Sequence, residues 1–310
     1  MKKLLISLLI LIAFVIGIVV LFNIKSSDTG SKSNKISIVT TLYPVYDFAR
    51  EIAGENADVS MLISPGVEIH DYEPTPQDII KIQEADLFLY LGEELEPWAE
   101  TVISGIENRK NLKNITSNID FIKLEEHHDE HSEHGEYDTH IWLDPNNSIQ
   151  MVRNITEQLC QKDPANKEYY TVRCTEYVQS LEKLDSEFEQ VIQNSMRNEI
   201  AFGGPFSYSY FINRYGLDYI SAYDSCGENS EPSVDKIFSV IEEIKKNNLP
   251  VVFYKELSSG NIVKTISEET GAEMLEFNSL HTITEKQLQD GETYLSIMYE
   301  NLENLKKALN

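Results

Sequence analysis

Apolar positions change their period several times along this chain, and each change marks an element. Residues 4–22 are apolar throughout except Ser7 and Gly17, with Lys2 and Lys3 ahead of them. A stretch of that length can serve as a secretion signal or span a bilayer. No small-x-small cleavage site follows Phe22, and no cysteine follows to carry a lipid, so we read it as an uncleaved signal-anchor. Residues 25–35, rich in Ser, Lys, Asn and Gly, read as a solvated tether. The working part of the chain is expected outside the cytoplasmic membrane, secreted or anchored there.

Beyond residue 35, short apolar runs alternate with stretches of helical period. Strands are expected at 36–40, 59–63, 86–91 and 119–124. Helices are expected at 43–53, from Thr75 onward, at 94–106 and at 147–161. Thr75 suits a helix cap and Pro76 a first helical turn. This alternation predicts a parallel, doubly wound sheet with helices on its faces. Residues 163–197 break the pattern. Tyr177, Leu181, Leu184, Phe188 and Val191 recur every three or four residues with no internal Gly or Pro, which predicts one helix of about 45–50 Å. We read it as a backbone joining two lobes. The alternation then resumes, with strands at 200–202, 217–222, 251–254 and 273–277. Helices are expected at 232–246, 258–270 and 284–309, Thr284 and Gln287 forming a capping box for the last. The expected architecture is therefore α/β: an N-terminal lobe over 36–162, a linking helix over 163–197 and a C-terminal lobe over 198–310.

Charge narrows the function. The chain carries 26 basic and 51 acidic residues, a net −25. Five of the lysines and one aspartate lie in residues 1–35, so the rest stands at −29. Such a surface repels nucleic acid and attracts cations. Cys160, Cys174 and Cys226 are too few and too irregularly spaced for a disulfide framework, and are expected as isolated thiols.

Two motifs carry the chemistry: Gly66-Val67-Glu68-Ile69-His70-Asp71-Tyr72-Glu73-Pro74-Thr75-Pro76-Gln77-Asp78 and Asp138-Thr139-His140-Ile141-Trp142-Leu143-Asp144-Pro145. Each sets one histidine in a turn-forming context before a helix, among carboxylates, which suggests a metal site. With these motifs, and with Tyr210-Phe211, Tyr215-Gly216-Leu217, Glu231-Pro232-Ser233 and Tyr254-Lys255-Glu256, the chain resembles the metal-binding solute-binding proteins of bacterial ABC importers, the zinc/manganese cluster. The resemblance covers nearly everything after residue 35. It implies two α/β lobes on one long helix, a metal site in the cleft between them, and His70 and His140 as first-lobe ligands.

The second lobe departs from that family's pattern. The position where members carry a His or Glu ligand is Pro205, which offers no side-chain donor atom, and the usual final aspartate aligns with Asn278. His281, three residues on, is the one histidine of the second lobe. It follows a strand expected to end at the cleft, and we read it as third ligand rather than as a surface cap. Water, Glu228, Asp224, Glu256 and Asn278 stay open as the fourth.

Residues 125–138 hold seven acids and four histidines, His127, His128, His131 and His134, with no Lys or Arg. Imidazole at this density favours Zn2+ over Mn2+, and zinc-binding members of the resembled family often carry such loops. The loop reads as weak capture beside the cleft, since a flexible chain loses entropy on chelating. The resulting expectation is a monomeric extracytoplasmic protein that binds Zn2+ and delivers it to an ABC permease. A manganese-binding member is the alternative within the family. A zinc hydrolase is the alternative outside it, with Glu73 or Glu256 as its base, but no His-Glu-x-x-His helix is present. An adhesin role is compatible with the binder.

Overall fold

Side chains of the central strands alternate between two apolar environments, and this alternation fixes where the sheets lie. The computed structural model describes residues 35–67, 69, 72–106, 109–124, 136–223, 232–258 and 260–310. Strands β1 (Ile36–Thr40), β2 (Ala57–Met61), β3 (Leu87–Tyr90) and β4 (Leu112–Asn114) form one parallel sheet in the order β2-β1-β3-β4. Ile38, Leu87 and Leu89 enter a core on one face of this sheet, while Val39, Phe88 and Tyr90 enter a separate cluster on the other. A strand buried on both faces has no polar side, which is why β3 reads as an unbroken apolar run.

Helices α1 (Tyr43–Ala53), α2 (Pro76–Glu84) and α3 (Pro97–Ser104) connect these strands, each with a proline in its first turn. There the missing N–H costs nothing and the fixed φ suits the helix. As expected, Thr75 caps α2, and its backbone N–H returns a bond to the Asp78 carboxylate.

Helix α4 (Pro145–Lys162) leads into the long helix α5 (Lys167–Gln193), 27 residues or about 40 Å. It is shorter than its periodicity suggests because Pro164–Asn166 form a separate 3-10 turn ahead of it. Tyr177, Leu181, Leu184 and Phe188 are buried along one stripe.

The second sheet repeats the first. Strands β5 (Glu199–Phe202), β6 (Asp218–Ser221), β7 (Val251–Tyr254) and β8 (Glu273–Glu276) lie parallel in the order β6-β5-β7-β8. Helices α6 (Ser209–Tyr215), α7 (Val234–Asn247) and α8 (Asn261–Thr270) connect them. Ile200, Phe202, Val251 and Phe253 face the same central core as Ile38 and Leu89, and Ala201 and Val252 face a cluster of their own. One continuous core thus runs beneath both lobes. Helices α9 (Glu285–Asp290) and α10 (Tyr294–Leu309) close the chain. The start of α10 reaches the first lobe, where Tyr294 N–H donates to Asp47 Oδ2 at 2.9 Å.

Three expectations need correction. Residues 119–124 are not a strand. Leu124 N donates to Glu136 O and Asp138 N to Ile122 O, on the approach to the second motif around an isolated bridge between Lys123 and Tyr137, while Ile122 N donates to the Tyr210 hydroxyl. The fourth strand is Leu112–Asn114, an edge strand too short and polar to show a pattern. The closing helix is two helices, because Gly291 turns left-handed at φ 83° and Thr293 caps a new start. Helix α6 was not expected, although Tyr210-Phe211-Ile212 ending on a left-handed Gly216 marks it. Cys160 and Cys174 are half-buried free thiols, and Cys226 lies outside the described residues. Among the described residues no helix is long and apolar enough to cross a membrane, and residues 4–22 lie outside them.

Candidate metal centre

His140 follows a loop whose backbone is held from both lobes. The Tyr210 hydroxyl, on α6, donates to Asp138 O at 3.0 Å and accepts from Ile122 N at 3.0 Å. Asp138 Oδ1 in turn accepts from His140 N at 2.9 Å and meets His140 Nδ1 at 2.6 Å. Burial opposes ionisation of Asp138, but the adjoining His140 and its two bonds outweigh that and hold the carboxyl below the usual carboxylate range. An ionised carboxylate only accepts, so Nδ1 carries a ring hydrogen, and in the neutral ring Nε2 is left with the lone pair. This carboxylate–histidine pairing is the arrangement that presents an imidazole to a metal ion.

Directly after His140, Ile141–Leu143 make one 3-10 turn and bury Trp142. Its indole Nε1–H donates across the cleft to Ser279 O at 2.8 Å, and its own carbonyl accepts from the Tyr294 hydroxyl at 2.7 Å. A second bridge between the lobes runs from Gly66 N to Thr282 Oγ1 at 2.9 Å. The turn beyond β8 is therefore tied to the first lobe on both sides of His281.

His281 sits within that turn, one residue after Leu280, a buried non-glycine residue at φ 55°. A leucine in this region is strained, and such strain persists where surrounding bonds over-determine the backbone. The bonds here are explicit. Asn278 Oδ1 accepts from Leu280 N at 2.8 Å, and Glu256 accepts from Ser279 N at 2.7 Å and from Ser279 Oγ at 2.5 Å. Asn278 is itself held through its N–H by Asn301 Oδ1 at 2.7 Å. Glu256 and Asn278, read from sequence as candidate ligands, thus build the turn that carries His281.

The two histidines meet. The ring centroids of His140 and His281 lie 4.6 Å apart with planes at 54°, and the two residues are 1% and 2% exposed. Trp142 stands beside both, at 5.5 Å from His140 and 5.9 Å from His281. Two imidazoles from different lobes at this separation, buried and backed by a carboxylate, fit a shared zinc-type ion. On the far side of His281, Lys255 Nζ lies 3.2 Å from Nδ1. Burial raises the Glu256 carboxyl, with the charge of Lys255 and the Ser279 bonds pulling the other way.

His70, Asp224, Glu228 and the loop histidines 127, 128, 131 and 134 lie outside the described residues. Among the described residues no three His, Cys, Asp or Glu side chains converge. Sequence reasoning passed over Asp138, Tyr210, Ser279 and Lys255 as parts of the site. Only Asp138, two residues before its histidine, left a local signal, because an aspartate at that spacing bonds the backbone two residues on.

Residues 38–308 match the family model described as zinc-uptake complex component A, periplasmic (ZnuA). The chain belongs to the ZnuA family. It is 34% identical over 300 residues to the high-affinity zinc uptake system protein ZnuA of Bacillus subtilis, covering 92% of each. It is 31% identical over 296 residues to the zinc-binding lipoprotein AdcA of Streptococcus pneumoniae R6, covering 93% of this chain and 58% of that protein. The chain thus spans little more than half the length of the pneumococcal relative. The crystal structure of the Zn(II)-bound ZnuA-like domain of that AdcA superposes with a TM-score of 0.75 at 30% identity, covering 89% of this chain and 99% of the domain. The two sheets and long helix are therefore a ZnuA-family architecture.

Proposed function

We propose that this chain captures a zinc ion outside the cytoplasmic membrane and delivers it to an ABC-type importer. The observation that carries this reading is the buried pair of His140 and His281, contributed by different lobes, with Asp138 fixing the first ring. His70 completes the ligand set from the first-lobe motif. A fourth position falls to water, Asp224 or Glu228, while Glu256 and Asn278 act through the turn they hold.

Zinc is cargo here. Three neutral imidazoles suit it better than Mn2+, which prefers oxygen ligands. Membership in a family of zinc-uptake components, and relatives named for zinc binding, support the same choice. The chain acts by binding and release, with no turnover, as a monomer composed of a first lobe over 36–162, a linking helix over 163–197 and a second lobe over 198–310. Some relatives are named lipoproteins, whereas no cysteine stands before Cys160 in this chain. Its tether to the membrane is accordingly the apolar segment 4–22. His127, His128, His131 and His134 collect further ions weakly.

Competition with a chromophoric chelator tests the reading. One tight zinc per chain is expected, lost in His140→Ala, with Mn2+ unable to displace it at comparable concentration. Deleting residues 126–136 should remove only the later, shallow phase of a calorimetric titration. Loss of the tight phase on that deletion would move the main site into the loop.

A further inference from the structure

The two imidazoles are held by opposite charges. Behind His140 stands the carboxylate of Asp138, and behind His281 stands the ammonium of Lys255, buried at 3% exposure with Nζ 3.2 Å from Nδ1. An ammonium has three donors and no acceptor, so its bond to Nδ1 uses the lone pair of that nitrogen. The neutral His281 ring then carries its hydrogen on Nε2, the reverse of His140.

A metal ion binds imidazole through a lone pair. Were the ion to bind His281 through Nδ1, it would need the lone pair that Lys255 holds. Were it to bind through Nε2, the hydrogen there must leave and the neutral ring carry it on Nδ1, where it would confront the donors of Lys255. In either case the lysine contact and the metal bond exclude each other. The exchange is balanced: the ring keeps one hydrogen, moved through solvent from one nitrogen to the other in the second case, and Lys255 keeps its charge.

We propose that Lys255 is a positioning residue that competes with the cargo for His281, weakening the hold of the second lobe so that the ion can be released. This inference rests on the reading of His140 and His281 as ligands of one ion. It assigns the lobes different tasks: the first lobe binds, and the second gives its histidine to the ion only by displacing its own lysine. Glu256, whose bonds to Ser279 anchor the turn, lies next to Lys255 in the chain.

The test uses the full-length chain and two readouts. Lys255→Met should bind zinc about ten- to a hundredfold more tightly, the range over which groups behind a ligand tune metal sites, with slower release into excess chelator. Its Co2+ spectrum should match the parent, because the ligands are the same. Lys255→Gln gives the same direction should the methionine variant not fold. In the metal-free parent, nitrogen-15 NMR of labelled histidine should find His281 with its hydrogen on Nε2 and His140 with its hydrogen on Nδ1. A His281 ring protonated on Nδ1, or a well-folded Lys255→Met with unchanged or weaker affinity, overturns the inference. His140→Ala separates the two levels. If it abolishes tight binding while Lys255→Met changes nothing, only the role of Lys255 falls. If it leaves binding intact, the site assignment itself falls.

Discussion

The two lobes share one strand order and one continuous core, yet they prepare their histidines differently. In the first lobe a carboxylate holds His140 with a lone pair at Nε2. In the second an ammonium faces His281, and the ring sits on a strained turn tied down by Glu256 and Asn278. Equivalent topology therefore does not imply equivalent half-sites. What differs is the sign of one charge behind each ring, a few ångströms from it. For the proposed capture and release of an ion such inequality is useful, since one half can stay preset while the other yields.

The largest effect that would break this comparison is on zinc affinity. His140→Ala and His70→Ala should each weaken binding by about a thousandfold or more, and His281→Ala by only about ten- to a hundredfold, because it removes a ligand whose hold Lys255 already weakens. Chelator competition measures all three. Equal losses would erase the asymmetry, and no loss in His281→Ala would hand the second lobe's part to Asp224 or Glu228.

Next in size is a contrast between buried carboxylates. Glu96 lies beyond β3 and Glu256 beyond β7, but only Glu256 has a lysine next to it. Burial pushes Glu96 from an ordinary 4.5 up to about 7, opposed by the bond from Leu91 N. A carboxyl raised in the folded state stabilises fully below its unfolded value and loses that contribution as pH climbs through the folded one. Glu96→Gln, which keeps an acceptor for Leu91, should therefore be more stable than the parent by about 3 kcal/mol at pH 8 and by under about 1 kcal/mol at pH 5. Urea melts of the metal-free protein at the two pH values check this. A gain that is the same at both would mean that the carboxyl is not the source.

Asp138→Asn sharpens the asymmetry on the first-lobe side. It removes the charge that fixes His140 and should weaken zinc by about ten- to a hundredfold, opposite in sign to Lys255→Met. Smallest is Trp142→Phe, which leaves the buried Ser279 carbonyl without the indole donor. A loss of about 1–2 kcal/mol in urea unfolding is expected, with zinc affinity less affected than in Asp138→Asn. A larger fall in affinity than in stability would instead make the bridge between the lobes part of the grip on the ion.

How much of this was legible beforehand depended on whether a feature is local. Strands buried on both faces, such as β3 and β7, announce themselves as apolar runs, and α5 does so through the spacing of its stripe. Edge strand β4, with Lys113 and Asn114 among its three residues, carries no such mark. Residues 119–124 looked like a strand because Phe121 and Ile122 pack on the core, although their backbone bonds elsewhere. His140 and His281 were each nameable from sequence, the second as a residue just past a strand. The contact of Lys255 with His281 was not, since it exists only once β7 and β8 lie side by side.

The contiguity of each sheet has a further consequence for how the molecule is born. All four strands of the first sheet lie between Ile36 and Asn114, and all four of the second between Glu199 and Glu276. A chain threading out of a ribosome or a secretion channel can therefore finish one sheet before the other has emerged. The proposed ion site cannot form with the first sheet alone, because His281 follows the last strand of the second sheet and its turn is braced by Asn301 on α10. A chain that has emerged only through the first sheet and the second motif holds His140 without its partner, so a tight, shared grip on the metal becomes possible only once residues through Asn301 have followed.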